Sequence, residues 1–427
     1  VHHCTIVNFY AGAVFVAGTD GKPTSTYASG CSVHDCTITD CATCEGGGWQ
    51  LYAAISNGGT IGFQIYNNTI YQPDRGANIT GEALKQAKGG FVYGTKIYNN
   101  SIIVDPSPGS VANGIGEFFD CLGGIEIYGN TMAGTLDFSC NILGDYGEVN
   151  ALSLQDIGGY GFALKVHDNH FIYSVYRDDY ASAIDIERNC TGGVYIYDNY
   201  FENLGTAIQF SYNVGDGGTG SYYVKQDVYI YYNIFYDIGK PSDTYYGSAI
   251  NVETGSLSSN DEVLNFYVFN NVFRAGSLAY PRGAITTYNG GKWNNTYIRN
   301  NIFTEWPYPI ELVNVAVTTM SIENNIFYGN SSNAPYFSGG SRAGLTQQNN
   351  LTSNPLYVGG SPYSYRLSVG SPAISAGIHM SSTPYITTDY GEVNSIQNPP
   401  SIGVYEFSGV VAQVSVMGKI NKFSIGN

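Results

Sequence analysis

The chain has 427 residues, only 12% of them charged, and its 34 acidic against 18 basic side chains leave a net charge of −16. So little basic surface argues against a nucleic-acid partner, because phosphate contacts need lysine and arginine, and no run of 18 apolar residues is present to form a transmembrane helix. An acidic balance with 38 tyrosines fits neutral glycans or divalent cations better.

From the N-terminus onward one short pattern returns twelve times: alternating residues, a polar pair, then an apolar residue two positions later. The second residue of each pair is Cys4, Cys36, Asn68, Asn100, Asn130, Asn169, Asn199, Asn233, Asn271, Asn301, Asn325 and Asn350, at intervals of 24 to 39 residues. A repeat of variable length and fixed core predicts a stack of coils with its insertions in loops. The period-two alternation in KIYNNSI, YIYDNYF and YIRNNIF predicts a strand before each pair. Asparagine tolerates left-handed backbone and can turn a sharp corner. Stacked at about 4.8 Å, such amides would hydrogen-bond along the pile. Two residues further on, Phe171, Phe201, Phe235, Phe273, Phe303 and Phe327 predict an aromatic column inside.

A third strand recurs 14 to 20 residues later in GAVFVAG, GANITGE, NGIGEFF, NALSLQD, SAIDIER, TAIQFSY, SAINVET, GAITTYN and YPIELVN. Its small residue and isoleucine belong to the core, so alternate residues face outward. With these repeats the chain resembles the right-handed parallel β-helix family of pectate-lyase-like proteins over almost its whole length. The resemblance implies an all-β solenoid of about twelve coils with an asparagine ladder, roughly 58 Å long, and a substrate groove along the third-strand face. Residues 1–353 form the predicted helix. Residues 354–407 carry NPLYVGG, YRLSVGSPAISAG and IGVYEF, which resemble the closing segment of bacterial extracellular β-helices, and are expected to fold over the last coil. Residues 408–427 read as a terminal strand or extension. The first residues already sit in a coil, so the chain is expected to be a processed or truncated piece of a secreted or cell-surface precursor. Its open coil end and terminal strand offer surfaces for self-association.

Cys4 and Cys36 occupy neighbouring rungs and are expected to form a disulfide. The pairing of Cys31, Cys41, Cys44, Cys121, Cys140 and Cys190 stays open, and the Cys41-x-x-Cys44 spacing lacks the second half of a zinc site. His2 and His3 could bind a metal or simply belong to an extended terminus. Glycosylation sequons at Asn67, Asn99 and Asn350 follow from the corner pattern itself, whereas Asn189, Asn294 and Asn330 are the expected glycan acceptors.

Counting outward from each isoleucine gives a column of Ser153, Asp185, Gln209, Asn251, Thr286 and Glu311, and a second of Gln155, Glu187, Ser211, Glu253, Tyr288 and Val313. Asp185 and Glu187 lie about 7 Å apart on one strand face, inside the roughly 6.5–9.5 Å window of inverting glycoside hydrolysis. Glu253 stands about 10 Å above Glu187, two coils on. Asp185, Glu187 and Glu253 are therefore the acid/base candidates, with Arg188 beside them. A lyase would instead need a base and a cation to neutralise a uronate; calcium, held by Asp178 and Asp179, is the one cofactor this coil suggests. Arg177, Gln209, Asn251, Arg282, Tyr245 and Tyr288 are the candidate substrate contacts, the tyrosines through ring faces and rim hydroxyls. Glu117 and Asp120 rank lower, because a core Ile115 would turn Glu117 inward. The functional expectation is an extracellular polysaccharide-active enzyme, hydrolase or lyase. Two readings compete with it: a solvated ladder of ion pairs at the same residues, and a non-catalytic glycan-binding, adhesion or assembly protein.

Overall fold

The computed structural model describes residues 1–8, 13–17, 28–41, 53–58, 60–72, 82–86, 92–104, 116–119, 124–134, 136–139, 164–173, 182–187, 193–210, 224–239, 247–253, 262–275, 282–288, 291–359, 364–380, 387–392 and 394–407. They build a parallel β-helix. Three long sheets run the length of the stack: a first of 12 strands, which leads into each polar pair, and a second and third of 11 each. Successive coils pair in parallel and in register, as in Ile97↔Ile127 of the first sheet and Phe171↔Phe201 of the second.

The amide ladder is continuous from Asn68 to Asn350. Each Nδ2 donates to the Oδ1 of the next asparagine at 2.9 to 3.1 Å, and each also reaches a carbonyl of the coil below, as from Asn199 to Val166 at 2.8 Å. Every polar atom of the row is thereby paired inside the wall, where an orphan would cost about 1–3 kcal/mol. The two residues of each pair divide the work. It is the first that takes the left-handed backbone, with φ of 55° at Asn99, 52° at Asp198 and 63° at Gly129, and the second that forms the ladder. Inside, Phe171, Phe201, Phe235, Phe273 and Phe303 stack at 4.6 to 5.0 Å. Phe327 ends the column tilted by 49°.

Cys4 and Cys36 do stand on adjacent rungs, but they form no disulfide. Each thiol turns back to the carbonyl two residues before it in its own coil, Cys4 to His2 and Cys36 to His34, both at 3.2 Å. Parallel in-register side chains point the same way, which keeps the two sulfurs from facing each other.

The closing segment does not simply lie over the last coil. It runs back along the outer flank of the second sheet, and the sequence shows why. The residue after each ladder position is Thr37, Thr69, Ser101 and Thr131 in the lower coils, all exposed, but Ile234, Val272, Ile302 and Ile326 in the upper ones, all buried. Tyr365, Leu367, Ala373, Ile402 and Val404 pack on this aliphatic column, each buried aliphatic contributing about 1.5–3 kcal/mol. The outer asparagine of the upper pairs then fastens the segment. Asn300 donates to Ile378 O and accepts from Ile378 N, both at 2.9 Å, Asn324 donates to Ala376 O at 2.8 Å, and Asn270 to Gly403 O at 2.9 Å. The doubled asparagines thus serve two structures, the inner one the ladder and the outer one the cap. Residues 408–427 lie outside the described residues.

Candidate active site

One register position of the third sheet runs Lys85, Glu117, Asp137, Asp185, Gln209, Asn251, Thr286, Glu311, each paired with the next across adjacent strands. The upper part, Asp185 to Glu311, agrees with the register expected from the small-residue and isoleucine motif. Below Asp185 it differs. The strand under Ser182–Glu187 is Leu136–Ser139 and not NALSLQD. Gly134, at φ 127°, a value open to glycine, lets the chain turn into that strand directly after Thr131–Ala133. Asp137 therefore takes the place expected for Ser153. Ser153 and Gln155 lie outside the described residues. One coil lower, Gly116 takes the register position between Leu84 and Leu136, and Glu117 pairs with Lys85 and Asp137; Ile115 and Asp120 lie outside the described residues. Lower still, the strand is Glu82–Gln86, paired with Ala53–Gly58, rather than GANITGE.

Three acidic residues, Glu117, Asp137 and Asp185, thus occupy one register position on three successive coils, at steps of about 4.8 Å. Glu187 follows Asp185 two residues along the same strand, and Glu253 follows Asn251 in the same relation two coils above. The outward position does not make this patch wet. Asp185 is only 8% exposed, and Gln209, Asn251 and Thr286 are buried.

Gln209 is the unusual member. Neither its Oε1 nor its Nε2 has a hydrogen-bond partner, a state that costs several kcal/mol in an apolar surrounding, about 1–3 by mutational measure. Asn251 donates to Glu253 Oε1 at 3.3 Å, while its own Oδ1 is unpartnered. Higher up the column is structural. Thr286 Oγ1 donates to Gly283 O at 2.9 Å, and Glu311 Oε2 accepts Gly283 N–H at 3.1 Å. A Cβ at Gly283 would lie 2.8 Å from Glu311 Cβ and backbone N, so only glycine fits there.

Of the residues proposed from sequence, Asp185, Glu187, Gln209, Asn251, Glu253 and Tyr288 all lie on strands of this one sheet, Tyr288 pairing with Glu253. Arg282 is half-buried ahead of the strand Ile285–Tyr288, its backbone N–H on Gly247 O at 3.1 Å. Arg177, Asp178, Asp179, Arg188, Asn189 and Tyr245 lie outside the described residues. Among the described residues no three His, Cys, Asp or Glu side chains converge as metal ligands. The two other expected glycan acceptors lie in the described wall. Asn294 sits half-buried within the strand Lys292–Arg299. Asn330 accepts from Trp306 N at 3.0 Å and donates to Phe303 O at 3.1 Å, repeating the ladder's chemistry at another corner.

A feature not anticipated from sequence lies on the outer face of the first sheet. His2, His34, Tyr66, Tyr98, Tyr128, His167, Tyr197, Tyr231 and Phe269 stack in one file at 4.6 to 5.2 Å. Each stands two residues before a ladder position, which was the available signal. Because the rings cover one another's faces, the file presents edges and is a poor platform for a sugar ring. Beside it Lys96 pairs with Glu126 at 2.8 Å. Burial alone would raise the Glu126 carboxyl, but Lys96 and the more distant Lys165 hold it below its ordinary range.

No known protein-family description matches the chain, and a search of curated proteins found no match. The fold is therefore established by its geometry alone. Function has to be argued from the site.

Proposed function

We propose that this protein is an extracellular polysaccharide-active enzyme, a glycoside hydrolase that holds its substrate along the outer face of the third sheet. The observation that carries the reading is the register of acidic residues Glu117, Asp137 and Asp185 on successive strands, with Glu187 two residues along from Asp185 and the unpartnered amide of Gln209 in the next register place. Hydrolysis of a glycosidic bond needs two carboxyl groups, one to protonate the leaving oxygen and one to act as base or nucleophile. One strand step separates the backbones of Asp137 and Asp185 by about 4.8 Å and two residues separate those of Asp185 and Glu187 by about 7 Å, backbone spacings compatible with the retaining and the inverting arrangements of two carboxyls. A saccharide hydroxyl, both donor and acceptor, supplies what the buried Gln209 amide lacks.

Lys85 favours a second reading. It stands in register one coil below Glu117, and a lysine in line with acidic residues is what a polysaccharide lyase would use to abstract a proton next to a uronate carboxyl, with calcium as the counter-charge. The deciding experiment incubates the whole chain with a panel of neutral and uronic polysaccharides. New reducing ends without ultraviolet absorbance support the hydrolase, new absorbance from an unsaturated uronate supports the lyase, and neither product removes both. Glycan binding without turnover would leave the non-catalytic adhesion reading.

A further inference from the structure

The described part of the cap reaches partway down the flank of the second sheet, and beside Tyr390 and Tyr405 lies a cleft of about 670 Å³. Its floor is the flank column Thr131, His170 and Tyr200, in register on successive coils. One side is formed by Asp168 and Asp198, which turn adjacent corners with φ of 54° and 52°. The upper end is closed by Tyr390 and Tyr405 of the cap. None of these residues belongs to the third-sheet site. The cleft forms where the flank changes character, from Ile234, buried under the cap, to His170, half-exposed beyond it.

The volume is that of a small-molecule pocket and far more than one ion needs. Tyrosines combine an apolar ring with a rim hydroxyl, and Tyr200, Tyr390 and Tyr405 all contribute to the lining. Asp168, whose Oδ2 already meets His167 Nδ1 at 2.7 Å, and Asp198 stand one coil apart or about 4.8 Å, and a carboxylate has acceptor sites enough to take a ligand hydroxyl beside an existing partner. The charge around the cleft is negative. Near Asp168, Asp198 and Glu202 the described residues place His170, with Nε2 at 3.2 Å from Glu202 Oε2, His167, with Nδ1 at 2.7 Å from Asp168 Oδ2, and Arg366, 4.5 Å from the centroid of the Tyr405 ring. Carboxylates still outnumber the one guanidinium there, which favours a neutral ligand over an anionic one.

From this geometry we infer that the cleft is a second saccharide site, separate from the third-sheet face, and that it takes a neutral oligosaccharide. Ring and rim of the tyrosines receive the sugar's apolar edge and its oxygens, while the two carboxylates accept its hydroxyl protons. Burial, Tyr405 and then the Asp198 and Asp168 carboxylates push the Tyr390 phenol well up, so it stays a donor. The inference does not depend on the third-sheet reading, since holding a sugar here needs no turnover there.

The test uses the whole chain and calorimetric titration with cello-, xylo-, manno- and malto-hexaose, with oligogalacturonate as the anionic probe. At least one neutral hexaose is expected to bind. Asp198→Gly, which keeps a residue suited to the left-handed corner, and Tyr390→Ala are expected to weaken it about tenfold or more, as loss of a charge-assisted hydrogen bond implies. Asp185→Asn is expected to leave this affinity unchanged, which separates the cleft from the third-sheet site. Unaltered binding in both cleft variants, preference for oligogalacturonate, or no binding of any neutral hexaose would each overturn the proposal. Melting curves of the variants identify any that have merely lost the fold.

Discussion

Asp137 lies directly beneath Asp185, the two paired across adjacent strands of the third sheet. That single step of about 4.8 Å is close to the 5–5.5 Å separation of a retaining carboxyl pair. Asp185→Asn and Asp137→Asn are each expected to lower the rate of reducing-end release by about 10²–10⁴-fold, with retention of the anomeric configuration in the wild-type product. Glu311→Gln, on the same column but bonded to Gly283 N–H, should leave the rate within a factor of about three, the change expected of a rim residue outside the chemistry. Full activity in Asp137→Asn, or inversion seen by proton NMR, would transfer the partner role from Asp137 to Glu187.

Gln209 sets stability against function. Both of its amide atoms are buried without partners, so replacing it by leucine removes a desolvation penalty. Gln209→Leu should raise stability by about 1–3 kcal/mol and, on the proposed reading, weaken substrate binding, because the amide bonds no other described residue. Urea denaturation read alongside KM checks both halves. A variant that gains stability with KM unchanged would make Gln209 an inert packing residue.

Much of this architecture is legible in the sequence because one pattern carries two signals. The Asn-x-apolar spacing marks both the corner and the inward phenylalanine, so the ladder from Asn68 to Asn350 and the stack from Phe171 to Phe303 follow from it. In the upper coils the small-Ile motif fixes the third-sheet register, which is why Asp185, Gln209, Asn251, Thr286 and Glu311 fall in one column as counted. Below Asp185 that motif fails. Gly116 replaces the isoleucine, and the real strand Leu136–Ser139 lacks the small residue that NALSLQD has. Period two alone does not choose between two alternating stretches in one coil; the Gly134 turn and the pairing energy of neighbouring strands do. The flank position after each ladder residue was equally readable, threonine where the wall meets water and isoleucine where the cap lies, but it gains meaning only once the cap is known to pack there.

Each ladder amide has several partners at once. Asn199 donates to Asn233 Oδ1, Val166 O and Tyr197 O at 3.0, 2.8 and 2.9 Å, and its Oδ1 accepts from Asn169. Leucine at this position orphans groups in three neighbouring strands, at about 1–3 kcal/mol for each left buried. Asn199→Leu should lower the melting temperature sharply or prevent folding. Asn67→Ala removes only an exposed contact to Asp35 at 3.3 Å and should shift it little, the corner strain aside. Equal melting temperatures for the two variants would show that the row of amides is ornamental to stability.

The cap carries a pH dependence of unusual sign. Glu406 is buried, and both of its oxygens accept the Ser401 N–H, at 3.1 and 3.0 Å. Burial nevertheless dominates those hydrogen bonds and raises the carboxyl above its ordinary 4.5. The folded chain then binds this proton more tightly than the unfolded one, so the contribution to stability is complete below pH 4.5 and is lost as pH rises through the folded value. Glu126, held low by Lys96, contributes in the opposite sense: its stabilisation is present above its unfolded value and disappears as pH falls through the lowered one. Glu406→Gln isolates the first effect. Relative to wild type, the variant should gain stability as the medium moves from acid to neutral, the difference growing across the window between the unfolded and folded values and constant beyond it. Thermal unfolding of both proteins from pH 3 to pH 8 measures that difference. A gap that does not change with pH would mean that Glu406 meets the same environment folded and unfolded, and that the cap is not closed over it.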